Sequence, residues 1–325
     1  MNYYKNIVPD FLRNNLYKKK RKIYNLSKKI FQNVFWENNI DNLYYGHYSI
    51  LKKYSKTILP YKINGEVQHG WSPDHGIMID PNSATSDLKQ SRFYVFNKFN
   101  KKKSHEFGFR NVYAIGAPFI YHPDIHKEPK EVRRGSLLLF PMHTTIYDTK
   151  DNLEKFQAYI KDIKKLAKNF ASITVSLGWL DYKNNNIRAV FEKQNIGIIS
   201  MGKMNDPQFL DNYIKTVKKF EYVSSETFSS AIFYSLIMNK KTFIYGNSFA
   251  TTYSGTDKWD GMKIGYNQFY ADIYPELMWE NFNDKAQHHI SIVELGWNYK
   301  KSPKELCELF EWSLGALPRK SIKYF

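Results

Sequence analysis

From Leu137 to Gly246 the chain repeats one pattern, a short apolar run followed by a stretch whose apolar residues recur at three- or four-residue steps. LLLFPM (137–142) has the texture of a buried strand, and after it Leu153, Phe156, Ile160, Ile163, Leu166 and Phe170 mark one side of a helix. ASITVSL (171–177), GIISMG (197–202), EYVSS (221–225) and KTFIYG (241–246) read as further strands. Between them, helices are expected over Ile187–Gln194, Pro207–Phe220 and Phe228–Met238. Strands alternating with helices at this pitch imply a parallel sheet covered on both faces, because parallel neighbours need long crossovers and helices supply them. In such open sheets ligands sit at the carboxyl ends of the strands, which directs attention to the loops that end them.

The chain before this block has a different texture. NGEVQHGW, RFYVFN and NVYAIGAPF look like strands that run into turns rich in Gly, Pro and His. PDIHKEPKEVRRGS (123–136) holds two prolines and seven charges between apolar runs and reads as an interdomain linker. With 325 residues to place, two domains of ordinary size are expected. The division is 1–128, with a basic helical start, then 129–300, then a C-terminal helical segment 301–325 returning toward the first domain. The last eighty residues contain an aromatic, Gly-rich stretch (Tyr253–Tyr274), a strand-like ISIVEL (290–295) and a helical PKELCELFEWSLGAL. No internal repeat is visible.

The single cysteine, Cys307, excludes an intramolecular disulfide and any four-Cys metal centre, so a reducing compartment is expected. No run reaches the roughly 18 to 20 apolar residues of a membrane span, and the opening MNYYKNIVPDFLRNN lacks the apolar core of a secretory signal. A cytoplasmic protein is therefore expected. The net charge is +17, and about half of it lies in the first thirty residues, where nine Lys and Arg face Asp10. Such a field attracts phosphates of nucleic acid, anionic lipid or charged glycolipid. Phe11, Leu16, Ile23, Tyr24, Leu26, Ile30, Phe31, Val34 and Phe35 fit amphipathic helices. Residues 1–35 are thus read either as an anionic-membrane contact or as ordinary helices on a core.

Three constellations carry the chemistry. In Asn64-Gly65-Glu66-Val67-Gln68-His69-Gly70-Trp71, Gly70 permits a tight turn that presents His69 at a strand end, with Glu66, Asp74 and His75 nearby in sequence. A hydroxyl nucleophile needs a base near neutral pH, and His69, Glu66 and Asp74 are the candidates. Phe140-Pro141-Met142-His143-Thr144-Thr145 places a His and two hydroxyls where they can donate to phosphate or sugar oxygens. Ser224-Ser225-Glu226-Thr227-Phe228-Ser229-Ser230-Ala231 leads into an apolar helix, whose free N–H groups suit an anion. Gly202-Lys203 adds a strand-end glycine and a cation to the same side. Each also has a plain structural reading, a loop-shaping His or a Ser/Thr helix cap.

Other templates fail. GxGxxG opening a βαβ unit, GxxxxGK[ST], HExxH and GxSxG are all missing, which removes the main support for dinucleotide oxidoreductases, phosphate-loop ATPases, zincins and serine hydrolases. His288-His289 are adjacent and do not face together on a helix, and no Asp-X-Asp metal motif of nucleotide-sugar enzymes occurs, so no metal site is expected. No RNP-like, finger or helix-turn-helix signature accompanies the basic charge, so nucleic acid is not expected as a partner.

Taken together, the QHG turn, Ile115-Gly116-Ala117-Pro118-Phe119 and the two strand-end motifs resemble bacterial glycosyltransferases of two-Rossmann-domain (GT-B) architecture, those of capsule, lipooligosaccharide and O-antigen assembly. The resemblance spans about Asn64 to Met238. Bacterial sialyltransferases and Kdo transferases, which use CMP-activated acidic sugars, look like more distant relatives. Their His-Pro and Ser-Ser/Thr motifs bind the CMP phosphate. Ser224 and Ser225 match the second, while for the first this chain has Pro141-Met142-His143 in place of His followed by Pro. The QHG turn is also similar to that of teichoic-acid-type polyol-phosphate transferases, in which a His of the first domain acts as base.

The resemblance implies an α/β fold of two Rossmann-like domains with a cleft between them. The function it implies is a metal-independent, inverting glycosyltransferase without a cofactor, acting on a nucleotide-sugar donor (CMP-acidic sugar or NDP-sugar) and a glycan or glycolipid acceptor. His69, Glu66 or Asp74 would be the base; His143, Thr144, Thr145, Gly202, Lys203, Ser224, Ser225, Glu226 and Thr227 would hold the donor phosphate and nucleotide. A CDP-glycerol-like polyol-phosphate transferase on the same fold and a basic nucleic-acid-binding protein are the alternatives.

Overall fold

The computed structural model describes residues 37, 39–57, 62–71, 89–129, 131–143, 153–246, 269–284 and 287–312. The basic opening, Asp74, His75, Thr144, Thr145, most of the aromatic Gly-rich stretch and the end of the closing helix lie outside the described residues. The fold is mixed α/β with two parallel sheets. The smaller has β1 (Glu66–Val67), β2 (Arg92–Val95) and β3 (Asn111–Ala114) in the order β1-β2-β3. The larger has β4 (Arg133–Phe140), β5 (Ser172–Ser176), β6 (Gly197–Ile199), β7 (Phe220–Ser225) and β8 (Lys241–Ile244) in the order β6-β5-β4-β7-β8. Every described pairing within these sheets is parallel.

The helices expected from periodicity between the strands of the larger sheet are present, within a few residues of their patterns, and others join them. α1 (Ile40–Leu43) and α2 (His47–Ser55) precede the smaller sheet, and α3 (Lys98–Glu106) connects β2 to β3. α4 (Leu153–Ala167), α5 (Trp179–Lys183), α6 (Asn185–Glu192), α7 (Phe209–Val217) and α8 (Ser230–Ile237) make the crossovers of the larger sheet. α9 (His288–Glu294) and α10 (Pro303–Leu309) follow. β4 is buried on both faces: Leu137 and Leu139 join the core formed with α4 and α6, while Leu138 faces the opposite core with Ile214 of α7 and Phe233 of α8. That second core continues into the smaller sheet through Val67, Tyr94, Phe96, Ile115 and Phe119, so one apolar mass joins the two sheets.

Three expectations need correction. Ile290 to Glu294 of ISIVEL are helical, in α9, with Leu295 as its C-cap, because Ile290, Ser291, Glu294 and Leu295 are buried at helical spacing while Val293 points outward. Packing against α8 outweighs the strand preference of a β-branched run. The charged segment before the larger sheet is shorter than its composition implies, for Arg133–Ser136 already belong to β4 and Arg133 lies opposite Phe220. The short α5 follows β5 where no helix is expected. At the other end of the chain the Trp312 indole N–H donates to Lys62 C=O at 3.0 Å and the Tyr94 hydroxyl donates to Leu309 C=O at 2.6 Å.

Candidate active site

The larger sheet changes direction between β4 and β7. From β4 the crossovers step outward to β5 and β6, and then back past β4 to β7 and β8. Loops at such a switch point diverge and leave a crevice at the carboxyl ends. Here those ends are pinned to one another. The Glu226 carboxylate accepts the Met142 N–H at 2.7 Å, and the Ser225 hydroxyl donates to Phe140 C=O at 3.0 Å. Glu226 is buried, and burial raises its pKa to about 6, opposed by the Met142 N–H and by Lys155.

The smaller sheet delivers its own strand end to the same place. After β1, the turn His69-Gly70-Trp71 is braced by Gln68, whose amide donates to Gly70 C=O at 2.7 Å and accepts the Phe96 N–H at 2.9 Å. Trp71 donates its backbone N–H to the Ser230 hydroxyl at 2.9 Å and its indole N–H to Glu294 at 2.6 Å. A Cβ on Gly70 would lie 2.9 Å from Ser230 Oγ, so only a glycine lets the turn settle on the first residue of α8 without displacing it.

His69 stands in an aromatic box. The Tyr44 ring meets it edge-on at 4.5 Å between centroids and the Tyr45 ring at 5.0 Å, with Tyr45 Oη 3.1 Å from His69 Nε2. Burial, and then the neighbouring charge of His143, lowers the His69 pKa to about 4. It is therefore neutral at pH 7. His143, at the end of β4, packs against Gly178, where an added Cβ would come 2.7 Å from His143 Cβ and 3.3 Å from Asp181 Oδ2.

Tyr45 is held by distant chain. It takes a left-handed backbone (φ 56°), costly for a bulky residue, and its N–H donates to Met204 C=O at 2.6 Å. Gly46 (φ 77°) comes so close to Pro207 that a Cβ would sit 2.3 Å from its carbonyl oxygen. The Tyr45 ring also packs on Phe209, 5.1 Å between centroids. His47, fully buried, lies 5.7 Å from the Tyr45 ring, and neither of its ring nitrogens has a partner among the described residues. Burial, then His69, brings its pKa down to about 3.

The structure thus brings together His69 and His143 with the β7 end at Ser225 and Glu226. Gly202 (φ 97°) and Lys203 lie in the loop after β6 that continues to Met204, whose C=O accepts the Tyr45 N–H. Ser224 is fully buried, its hydroxyl without a partner among the described residues, and Ser225, 3% exposed, spends its hydroxyl on Phe140 and accepts the Thr227 N–H at 3.4 Å. Glu66 has other neighbours. It lies beside Asp41, and burial followed by that like charge raises its pKa to about 7. Asp74, Thr144 and Thr145 lie outside the described residues. Tyr44, Tyr45, His47 and Asp181 are the site residues that sequence reasoning passed over; the one local signal was a glycine flanked by two Tyr and a His in Tyr44-Tyr45-Gly46-His47. Among the described residues no three of His, Cys, Asp and Glu gather as a metal-holding group, and no helix is long and apolar enough to cross a membrane.

No family model matches the chain, and no curated protein matches it. Among solved structures it is similar to S. aureus MnaA in a co-structure with UDP, at 12% identity over 69% of this chain and 61% of that one, with a TM-score of 0.38. It is also similar to the wall teichoic acid polymerase TagF, at 11% identity over 68% of this chain and 59% of that one, with a TM-score of 0.31. The chain spans about three fifths of the length of these solved structures.

Proposed function

We propose that the chain is a glycosyltransferase that moves a sugar from a nucleotide-activated donor to a glycan or glycolipid hydroxyl, in a cleft between two Rossmann-like domains, 1–128 and 129–300. The observation that carries this reading is the meeting of two sets of strand ends. The β1 end brings His69 beside His143 at the β4 end, over the switch point of the larger sheet.

In this reading the acceptor lies on the His69 side and the donor on the His143 side. The acceptor oxygen attacks the anomeric carbon while its proton passes to the neutral His69 imidazole. The bond from that carbon to the phosphate oxygen breaks, and the nucleotide leaves with the electron pair. His143 and Lys203, with Thr144 and Thr145, would balance the charge that develops on the phosphate. Glu226, Ser225 and Thr227 would hold the floor of the site by joining the strand ends. A bound phosphate also serves the base: its negative charge offsets the repulsion between His143 and His69 and moves the His69 pKa upward, toward the working range.

A thermal-shift panel with CMP, CDP, UDP, GDP, dTDP and ADP tests the reading, since a ligand at one hundred times its Kd stabilises the native state by about 2.7 kcal/mol. A shift with CMP alone points to an acidic-sugar donor, and one with UDP, GDP or dTDP to a hexose donor. A shift confined to CDP moves the reading to polyol-phosphate transfer. Silence across the panel removes it. With a responding donor in hand, His69→Ala is expected to abolish transfer while the nucleotide shift persists.

A further inference from the structure

α3 inverts the pattern of a helix packed on a sheet, which turns its apolar side inward. Its one apolar residue, Phe99, is 45% exposed, and Phe107, its C-cap, is 37% exposed, while the residues it buries are Asn100 and Ser104. The Ser104 hydroxyl donates to Asn100 C=O at 2.8 Å, and the Asn100 N–H donates to the Asn97 side chain at 2.9 Å. Neither exposed ring joins the core of Phe93, Val95, Phe109 and Val112, to which β2 and β3 contribute. The charge around the rings is one-sided. Lys98, Lys101, Lys102 and Lys103 lie on α3. Just beyond it the Arg110 N–H donates to Lys89 C=O at 3.0 Å, and the Lys89 side chain passes Gly108. On the helix these cations meet one acid, Glu106, 2.9 Å from Lys103 and 4.0 Å from Lys102. Phe99, Lys103 and Phe107 recur at four-residue steps and so share one flank, with the Lys103 ammonium 5.9 Å from the Phe99 ring.

We propose that α3 is a docking surface for an anionic lipid bilayer, into which Phe99 and Phe107 insert while the surrounding lysines meet the phosphates of the head groups. A flat surface can take both rings, which stand about 12 Å apart along the helix at eight residues' separation. Lysines are depleted where proteins meet proteins, because burying the ammonium costs its hydration. On a bilayer that cost falls away, since the long stem lets the charge stay in the head-group layer while apolar neighbours sink below it. Each basic residue near such a surface gains about 1 kcal/mol from the anionic lipid. The helix lies on the membrane and does not span it, as its nine residues require. This surface is separate from the basic opening 1–35, which lies outside the described residues, and it stands without the sugar-transfer reading. With that reading, a lipid-borne acceptor would meet the half of the molecule that presents His69.

The test is flotation of the full chain with vesicles of phosphatidylcholine alone and of phosphatidylcholine mixed with phosphatidylglycerol. Wild type is expected to float with the mixed vesicles and to stay behind with the neutral ones. Lys98→Gln combined with Lys102→Gln removes two exposed cations and should lower the partition constant about thirtyfold, about 2 kcal/mol. Phe99→Ser combined with Phe107→Ser keeps every charge and should lower it by about tenfold or more. Phe99→Ser alone carries the same test should the helix end need Phe107 to fold, and thermal unfolding of each variant shows whether the fold is intact. Absence of wild-type flotation with the anionic vesicles overturns the proposal. So does undiminished flotation of the lysine variant or of a folded phenylalanine variant, which would place the contact elsewhere in the chain. A higher affinity for double-stranded DNA than for vesicles at equal phosphate concentration overturns it as well, and assigns the lysines to nucleic acid. Loss of sugar transfer plays no part in these outcomes, so failure of the transferase reading is distinguished from failure of the docking surface.

Discussion

The backbone N–H of Trp71 donates to the Ser230 hydroxyl at 2.9 Å, so the turn that ends the first strand of the smaller sheet rests on the first residue of a helix belonging to the larger one. This bond, with the Trp71 indole on Glu294, fixes the distance between His69 and the switch point. Ser230→Ala leaves that N–H without its acceptor and is expected to cost about 1 to 3 kcal/mol. Urea denaturation checks the loss, and an unchanged midpoint would show that the turn does not depend on the helix.

Two glycines with positive φ separate backbone strain from close approach. At Gly296 (φ 65°) an added Cβ would lie 1.9 Å from Phe96 C=O, whereas at Gly108 (φ 89°) the nearest atom is the flexible Lys89 Cδ at 3.7 Å. Gly108→Ala should lose only the strain of about 1 kcal/mol. Gly296→Ala must in addition push α9 away from the β2 end and should lose several times as much. Equal losses in equilibrium denaturation would refute the close packing of α9 on the smaller sheet.

His47 makes the fold sensitive to acid. Its folded pKa of about 3 lies below the ordinary 6.5, so below pH 6.5 the unfolded chain binds a proton that the native state refuses. Stability is therefore lost as pH falls from 6.5 toward 3, by about 1.4 kcal/mol per pH unit for one proton. His47→Met, apolar and of similar volume, should flatten the curve of stability against pH between about 6 and 4 by that slope. Parallel curves for the two proteins would contradict a neutral buried His47.

Glu226 acts in the opposite sense. A carboxyl whose folded pKa is about 6 binds its proton in the native state more readily than in the unfolded chain, where it titrates near 4.5. As pH rises from 4.5 through 6 the native state loses about 2 kcal/mol from this residue. Glu226→Gln keeps an oxygen for the Met142 N–H and removes the titration. From pH 5 to 7, wild type should lose stability relative to the variant, and a constant difference across that range would rule the buried carboxyl out as its source.

Much of the larger sheet was legible because its strands centre on short apolar runs bounded by polar turns, and α4, α6 and α7 are one-sided, while α8 is apolar nearly throughout. Leu137 to Leu139 announce a strand buried on both faces, and Leu153 to Leu166 announce α4, whatever the rest of the chain does. The pattern failed where burial came from unrelated segments. ISIVEL has strand residues, yet α8 offers a surface that fits a helix, and the four charges of Glu131, Arg133, Arg134 and Lys130 hid the start of β4.

The strand-end histidines could be named from sequence because glycine turns after apolar runs are local signals, and so could the parallel α/β architecture, because periodicity is local as well. Tyr45 and His47 could not, since what gives them meaning is Met204, Pro207 and Phe209, about 160 residues further along the chain, which force a left-handed turn beside His69. The fate of Ser225 and Glu226 was likewise decided in three dimensions. A hydroxyl and a carboxylate after a strand read equally well as ligand groups or as ties, and only the adjacency of β4 and β7 engages them with Phe140 and Met142. Local propensity and periodicity act along the chain, whereas desolvation and hydrogen-bond partnership depend on what the fold brings near; the first set determined the elements, the second the site.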